Sequence, residues 1–202
     1  MTGEASAERS LAGATALVTG ASRGIGRAVS IALARRGVRL ALTGRDSTAL
    51  EKTADLADSA SSSADRPAAK DGAASIVEDL ISPGATERIS DFVRDRFGTL
   101  DLLVCNAGTS LSKPLEETTE DEFDRLIAVN AKAPFFLSKH VLPLLRTSEH
   151  PVIVTVSSVV GRKGYAQQAA YAASKHALEG AMKALARRHR RHGLDRELVA
   201  VD

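Results

Sequence analysis

The sequence predicts an α/β fold, a doubly wound parallel sheet of about six strands with helices on both faces. Two observations carry that prediction. Short β-branched or apolar runs alternate with longer stretches of helical spacing from residue 15 to the end of the chain, and strands that alternate with helices pair in parallel because each helix returns the chain to the same end of the sheet. A glycine-rich turn follows the first apolar run and opens the first helix. The 202 residues, 44% hydrophobic and 26% charged, suffice for one domain with a full core.

In chain order, residues 1–10 are polar and mildly acidic and are expected to be disordered, with the domain occupying residues 11–202. Strands are expected at 15–19, 39–43, 75–77, 100–105, 151–157 and 197–201, each a short β-branched or apolar run. Helices are expected between them at 27–36, 47–58, 85–97, 119–145 and 169–190, where apolar side chains recur with the helical period. Residues 59–72 (SASSSADRPAAKDG) are rich in Ser and Ala, contain a Pro and lack periodicity, which predicts a surface loop.

Composition excludes several classes of function. Aromatic residues make up only 3% of the chain and Trp is absent, so Ala, Val, Leu and Ile carry the packing and base-stacking platforms are not expected. A single Cys excludes an internal disulfide and a Cys-based zinc site, and it fits a reducing compartment. His140, His150, His176, His189 and His192 show no metal-ligand spacing, so no metal is expected. No apolar run approaches the roughly 18–20 residues of a membrane span, and the N-terminus lacks the core of a signal peptide. A soluble, cytoplasmic protein without a membrane or nucleic-acid partner is expected. The net charge of +2 is too small to name a partner.

The turn reads Thr19-Gly20-Ala21-Ser22-Arg23-Gly24-Ile25-Gly26. Glycines there permit a tight turn and let the backbone approach a pyrophosphate, whose charge the free N–H groups of the helix N-terminus stabilise. Gly20, Ser22, Arg23, Gly24, Ile25 and Gly26 are therefore candidates to hold a dinucleotide. Where the second strand ends, an NAD site places a carboxylate on the adenine ribose; this chain has Thr43-Gly44-Arg45. Arg45, together with Arg23, suits a 2′-phosphate, which makes the expected cofactor NADP(H). Two solvated surface arginines are the alternative.

Tyr171 and Lys175 stand four apart at the start of a helical segment and share one face. Ser158 lies at the end of the fifth strand, where open α/β sheets place their ligands. The chemistry of the three is coherent. Carbonyl reduction needs an acid for the developing alkoxide, and a phenol serves when a nearby ammonium favours the phenolate. A serine hydroxyl can hold and polarise the substrate oxygen. Asn130 is a polar residue on an otherwise apolar helical stripe, and Pro134, four residues on, has no N–H to give its carbonyl. That freed carbonyl can hold water, although a helix kinked for packing alone fits the same residues.

Taken together, these motifs resemble the short-chain dehydrogenase/reductase family in its small single-domain branch, from about Leu11 to Val201. The match takes in the glycine turn, Asp79-Leu80 after the third strand, Asn106-Ala107-Gly108 after the fourth, Asn130, Ser158 and Tyr171-Ala-Ala-Ser-Lys175. The resemblance implies a Rossmann-type fold with NAD(P) across the strand ends. It further implies that Asp79 and Leu80 contact adenine and that Asn106, Ala107 and Gly108 line the cofactor. Tyr171 becomes the acid/base, Lys175 also binds the nicotinamide ribose, and Asn130 holds through its carbonyl a water that links Lys175 to solvent. Pairing of subunits through the long helices, as a homodimer or homotetramer, is implied as well. Cys105 stands where the family often has an Asn that supports the sheet.

The chain ends soon after the expected sixth strand, so the family's usual final strand and substrate-covering segment are expected to be missing. Two rivals accompany the expected NADP(H)-dependent carbonyl–alcohol oxidoreductase. One is a catalytically silent NADP-binding or scaffold protein. The other, more remote, is nucleic-acid association through the basic cluster 187–192, whose cations equally suit a helix C-terminus.

Overall fold

The computed structural model describes residues 10–61, 72–189 and 195–199. Its elements are β1 (Thr15–Thr19), α1 (Gly24–Ala34), β2 (Arg39–Gly44), α2 (Ser47–Ser61), β3 (Ala74–Val77), α3 (Ala85–Phe97), β4 (Leu102–Cys105), α4 (Glu120–Ile127), α5 (Ala133–Leu145), β5 (Val152–Val156), α6 (Ala169–His189) and β6 (Asp195–Val199). The strands form one six-stranded sheet in the order β3-β2-β1-β4-β5-β6, and every pair is parallel. This is the doubly wound, Rossmann-type arrangement that the alternating pattern predicts.

Sequence parity sorts the core. Leu17 on β1 and Leu103 and Cys105 on β4 face α3, α5 and α6, where Ile89, Val93, Leu137, Val141 and Leu178 meet them. Their neighbours Ala16, Val18 and Val104 face the other way, onto Leu33 and Ala34 of α1 and Leu50 and Ala57 of α2. Burial on both faces explains why β1 and β4 read as continuous apolar runs rather than alternating ones.

Several boundaries differ from the sequence expectation; β4, for one, starts at Leu102 rather than at 100. α1 begins at Gly24 rather than at 27: Gly24 has φ +55° and Gly26 meets the close approach of the Gly20 carbonyl, so glycines that local propensity excludes from a helix are the residues that fit its first turn. α2 runs on to Ser61: Ser59 and Ser61 bond back to the carbonyls of Asp55 and Asp58 and continue the helix into the expected loop, of which residues 62–71 lie outside the described residues. The stretch 119–145 stays helical without a break but changes winding. Thr119 and Glu122 form a reciprocal capping box at its start, and Ala128–Lys132 widens to a π turn just before Pro134. β6 starts two residues early, at Asp195. Residues 1–9 and 200–202, and residues 190–192 of the basic cluster, lie outside the described residues.

Leu103 lies at the centre of the sheet, fully buried. Leu103→Ala is expected to lower the unfolding free energy by about 3 kcal/mol, read as a lower urea midpoint with an unchanged slope.

Candidate active site

In the sheet order, the chain reverses direction between β1 and β4, so the loops that leave these strands diverge and open a crevice at their carboxyl ends. The first loop is the glycine turn. Gly20 has φ +65°, and a Cβ on it would stand 2.8 Å from Ala107 Cα; a Cβ on Gly26 would collide with the carbonyl oxygen of Gly20. Asn106 supplies the clasp: its side-chain amide donates to the carbonyls of Thr19 (3.0 Å) and Gly20 (3.1 Å). The Thr19 hydroxyl accepts in turn from the N–H groups of Asn106 and Ala107, both at 3.0 Å.

These residues fit a dinucleotide phosphate. Arg23, at the cap position of α1, gives that helix no side-chain cap, which leaves N–H groups of its first turn free. Ser22 Oγ is buried without a hydrogen-bond partner among the described residues, and a Cβ on Gly44, where β2 ends, would collide with it. Arg45, the next residue, lies in the open and pairs with Asp79 at 3.9 Å. Thus the structure brings Arg45 to Asp79, whereas Arg23 and Ile25 are exposed with no such pairing among the described residues. Leu80, by contrast, packs partly buried against the core.

The other half of the site is built by α6 and the end of β5. Lys175 is 4% exposed and donates to the carbonyl of Val156 at 2.9 Å, two residues before Ser158. Its Nζ lies 6.0 Å from the centre of the Tyr171 ring, and a Cβ on Gly108 would stand 3.6 Å from it. Ser158 has an extended backbone and caps the short turn Val159–Gly161, accepting from Val160 N–H at 3.4 Å. Lysine, phenol and the Asn106–Gly108 loop therefore converge near the end of β5, which Ser158 follows by two residues.

Asn130 is 1% exposed, and its side chain is fully engaged. Its Oδ1 accepts from Thr109 N–H (2.9 Å), while its amide donates to Thr109 O (2.8 Å) and Ser174 Oγ (2.9 Å). Ser174 donates to the carbonyl of Tyr171 at 2.7 Å. The side chain of Asn130 thus ties the Gly108 loop to α6, and Pro134, four residues on, has no N–H to give its backbone carbonyl.

Sequence reasoning missed two positioning residues. Arg27 bonds the carbonyls of Ser22 and Ala49 and the Thr53 hydroxyl, and so locks the glycine turn to α2. A helix-surface arginine carries no signal of partners so distant in sequence. Ser174 was visible within Tyr-Ala-Ala-Ser-Lys, but nothing in its spacing points to Asn130. Cys105 is buried in the core, and its thiol is pushed up to about 12 by burial, as suits a packing residue. Among the described residues no helix is long and apolar enough to cross a membrane, and no group of His, Cys, Asp or Glu could hold a metal.

Comparison with known proteins places this geometry. A family model described as short chain dehydrogenase matches residues 14–201. The chain is 37% identical over 180 residues to a hydroxynaphthalene reductase-like protein of Metarhizium anisopliae, covering 88% of this chain and 63% of that protein. Identity to the 3-oxoacyl-acyl-carrier-protein reductase of Escherichia coli is 34% over 188 residues, 93% of this chain and 72% of the reductase. Among solved structures, a metagenomic short-chain oxidoreductase in complex with NADP superposes with a TM-score of 0.85 at 36% identity, covering 95% of this chain and 83% of that one.

Burial holds Lys175 below the ordinary lysine value of 10.5, at about 8. Between these two values the unfolded chain carries a proton that the folded chain does not, so this group makes stability rise with pH across that window; below it both states are protonated and the cost of burial is constant. The stability of wild type relative to Lys175→Met is expected to rise between pH 8 and 10.5, by up to about 3 kcal/mol, in parallel urea titrations.

Proposed function

The chain belongs to the short-chain dehydrogenase/reductase family, and on that premise we propose that it is an NADP(H)-dependent oxidoreductase interconverting a carbonyl and a secondary alcohol. The observation that carries the reading is Lys175, a buried amine on the carbonyl near the end of β5, on the same helix face as Tyr171. An amine kept out of water beside a phenol favours the phenolate and so suits the phenol to general acid catalysis on a carbonyl. The relatives support the reaction class, since two are reductases or reductase-like by name and a third was solved with NADP.

NADPH, when bound, supplies the hydride. Tyr171 gives its phenolic proton to the substrate oxygen as the carbonyl carbon gains that hydride, so that C=O becomes CH–OH. The ammonium of Lys175 stabilises the phenolate left behind, and the Ser158 hydroxyl donates to the substrate oxygen and orients it. The Asn130 carbonyl holds the water that returns a proton towards Lys175 and Tyr171. On the binding side, Gly20, Gly24, Ile25 and Gly26 approach the pyrophosphate, and Ser22, Arg23 and Arg45 take the 2′-phosphate. Asp79 and Leu80 flank adenine, Asn106, Ala107 and Gly108 line the cofactor, and Tyr171 and Lys175 hold the nicotinamide ribose. Subunit pairing through the helices at 120–145 and 169–189 belongs to the same reading, supported by the exposed Phe123, Phe135 and Phe136.

NADPH consumption with ethyl acetoacetate, a 3-oxo ester, and 2-tetralone, a cyclic ketone, tests the reaction. Tyr171→Phe is expected to lower kcat at least about a hundredfold while NADPH affinity stays within about threefold; a fully active variant would sink the mechanism. Arg45→Ala is expected to weaken NADPH by about tenfold and NADH hardly at all. Equal losses for the two cofactors would remove the 2′-phosphate assignment.

A further inference from the structure

One buried charged group has no part in the mechanism above. Glu179 lies on α6 one turn beyond Lys175, and only 2% of it is exposed. Its Oε1 accepts from Ser157 Oγ (3.1 Å) and Arg162 Nε (3.4 Å), and its Oε2 accepts from Lys183 Nζ (2.9 Å). We propose that Glu179 is a positioning residue that fixes the Ser158 turn onto α6, so that the Ser158 hydroxyl and the Lys175 ammonium are held on one frame; the proposal rests on the carbonyl-reduction reading.

The placement of the contacts carries it. Successive turns of α6 grip successive residues where β5 ends: Lys175 holds the carbonyl of Val156, and Glu179 holds the hydroxyl of Ser157. Ser158 is the next residue, and it caps the turn Val159–Gly161. Beyond that turn, Arg162 returns to the same carboxylate oxygen that Ser157 uses. One oxygen therefore closes both ends of the segment that presents Ser158. Gly161 is packed down on this clamp, since a Cβ there would stand 2.8 Å from Ser157 Oγ and 3.0 Å from Glu179 Oε1.

An ordinary surface ion pair does not account for this arrangement. The side chains of Arg162 and Lys183 are 56% and 62% exposed and are solvated without help, whereas burying a carboxylate is costly unless its oxygens are bonded. Burial pushes the Glu179 carboxyl up, but the bonds from Lys183 and Ser157 and the charges of Lys183 and Arg162 outweigh it and hold the group below its ordinary value. The carboxylate is thus charged at neutral pH and bonded most deeply on its Ser157 side, where the hydroxyl partner is 4% exposed.

The test compares Glu179→Gln, Ser157→Ala and the double variant by amide hydrogen exchange, NADPH binding and 2-tetralone reduction. Glu179→Gln is expected to speed exchange across residues 157–163 about tenfold and leave α1 unchanged. It is also expected to lower kcat about tenfold with NADPH affinity within about twofold. If Glu179 acts through Ser157, the double variant falls no further than the worse single one. Unchanged exchange at 157–163, or kcat losses that multiply, would overturn the proposal. Should Glu179→Gln fail to fold, Ser157→Ala and Arg162→Ala remove the same contacts from the turn side and decide the exchange test. Should wild type leave 2-tetralone unreduced, the carbonyl-reduction reading fails for that ketone, while the exchange data still decide whether Glu179 holds the turn.

Discussion

The side-chain amide of Asn106 bonds the last carbonyl of β1 and the first carbonyl of the glycine turn, and the rest of the cleft depends on that clasp. β1 and β4 are neighbours in the sheet although more than eighty residues separate them in sequence, and their continuations leave in different directions. Two carbonyls stranded at the point of divergence would lose their partners as the strands part, and a buried unpaired carbonyl is expensive. Asn106 satisfies both with one group. The same contact makes side chains at Gly20 and Gly26 impossible, because the amide and the Gly20 carbonyl occupy the space a Cβ would need. The glycines are thus demanded by the clasp as much as by any phosphate.

The side of the cleft proposed to be catalytic is held by a different kind of force. Where the clasp is neutral and short-ranged, α6 brings an amine and a carboxylate to the end of β5, one on each of two successive turns. Lys175 has a single backbone carbonyl for a hydrogen-bond partner among the described residues and bears the cost of its burial in a lowered proton affinity. Glu179, with three donors, does not. This asymmetry is what a site needs if one charge is to respond to a neighbouring phenol while the other stays fixed. The tight coordination of the Asn130 side chain fits the same division, since it ties the loop that ends at Thr109 to the helix that carries Asn130.

What the sequence reveals follows the range of the interaction. Strands buried on both faces are legible as runs such as Ala16-Leu17-Val18, and the four-residue spacing of Tyr171 and Lys175 is legible because a helix repeats locally. The winding of residues 128–132 is visible only in part. Pro134 announces a missing hydrogen bond, but the choice of a π turn is made together with contacts from Asn130 to Thr109 and Ser174, 21 and 44 residues away. The start of α1 was hidden for a similar reason: Gly24 and Gly26 argue against a helix locally, and only the left-handed φ of Gly24 (+55°) and the approach of Gly20 and Asn106 to Gly26 make them the residues that fit. Arg27 and Glu179 read as solvated helix charges until their partners on other elements are seen.

Arg45 and Asp79 show how little energy a proposed specificity element needs. Their 3.9 Å pair is exposed, with side chains 63% and 37% accessible, and such pairs contribute on the order of 0–1 kcal/mol. That is too weak to hold the guanidinium against a phosphate dianion, whose bidentate, charge-assisted bonds are considerably stronger. It nevertheless sets Arg45 beside Asp79 where β2 ends, close to Gly44 and the Ser22 hydroxyl, which has no hydrogen-bond partner among the described residues. On the proposed assignment, a cofactor without the 2′-phosphate would leave the pair intact and gain nothing from Arg45. A cofactor with it would exchange a weak contact for a strong one and supply a partner for the Ser22 hydroxyl. In this reading discrimination comes from the difference between the two ion pairs, so the carboxylate of Asp79 sets the reference against which the phosphate is recognised.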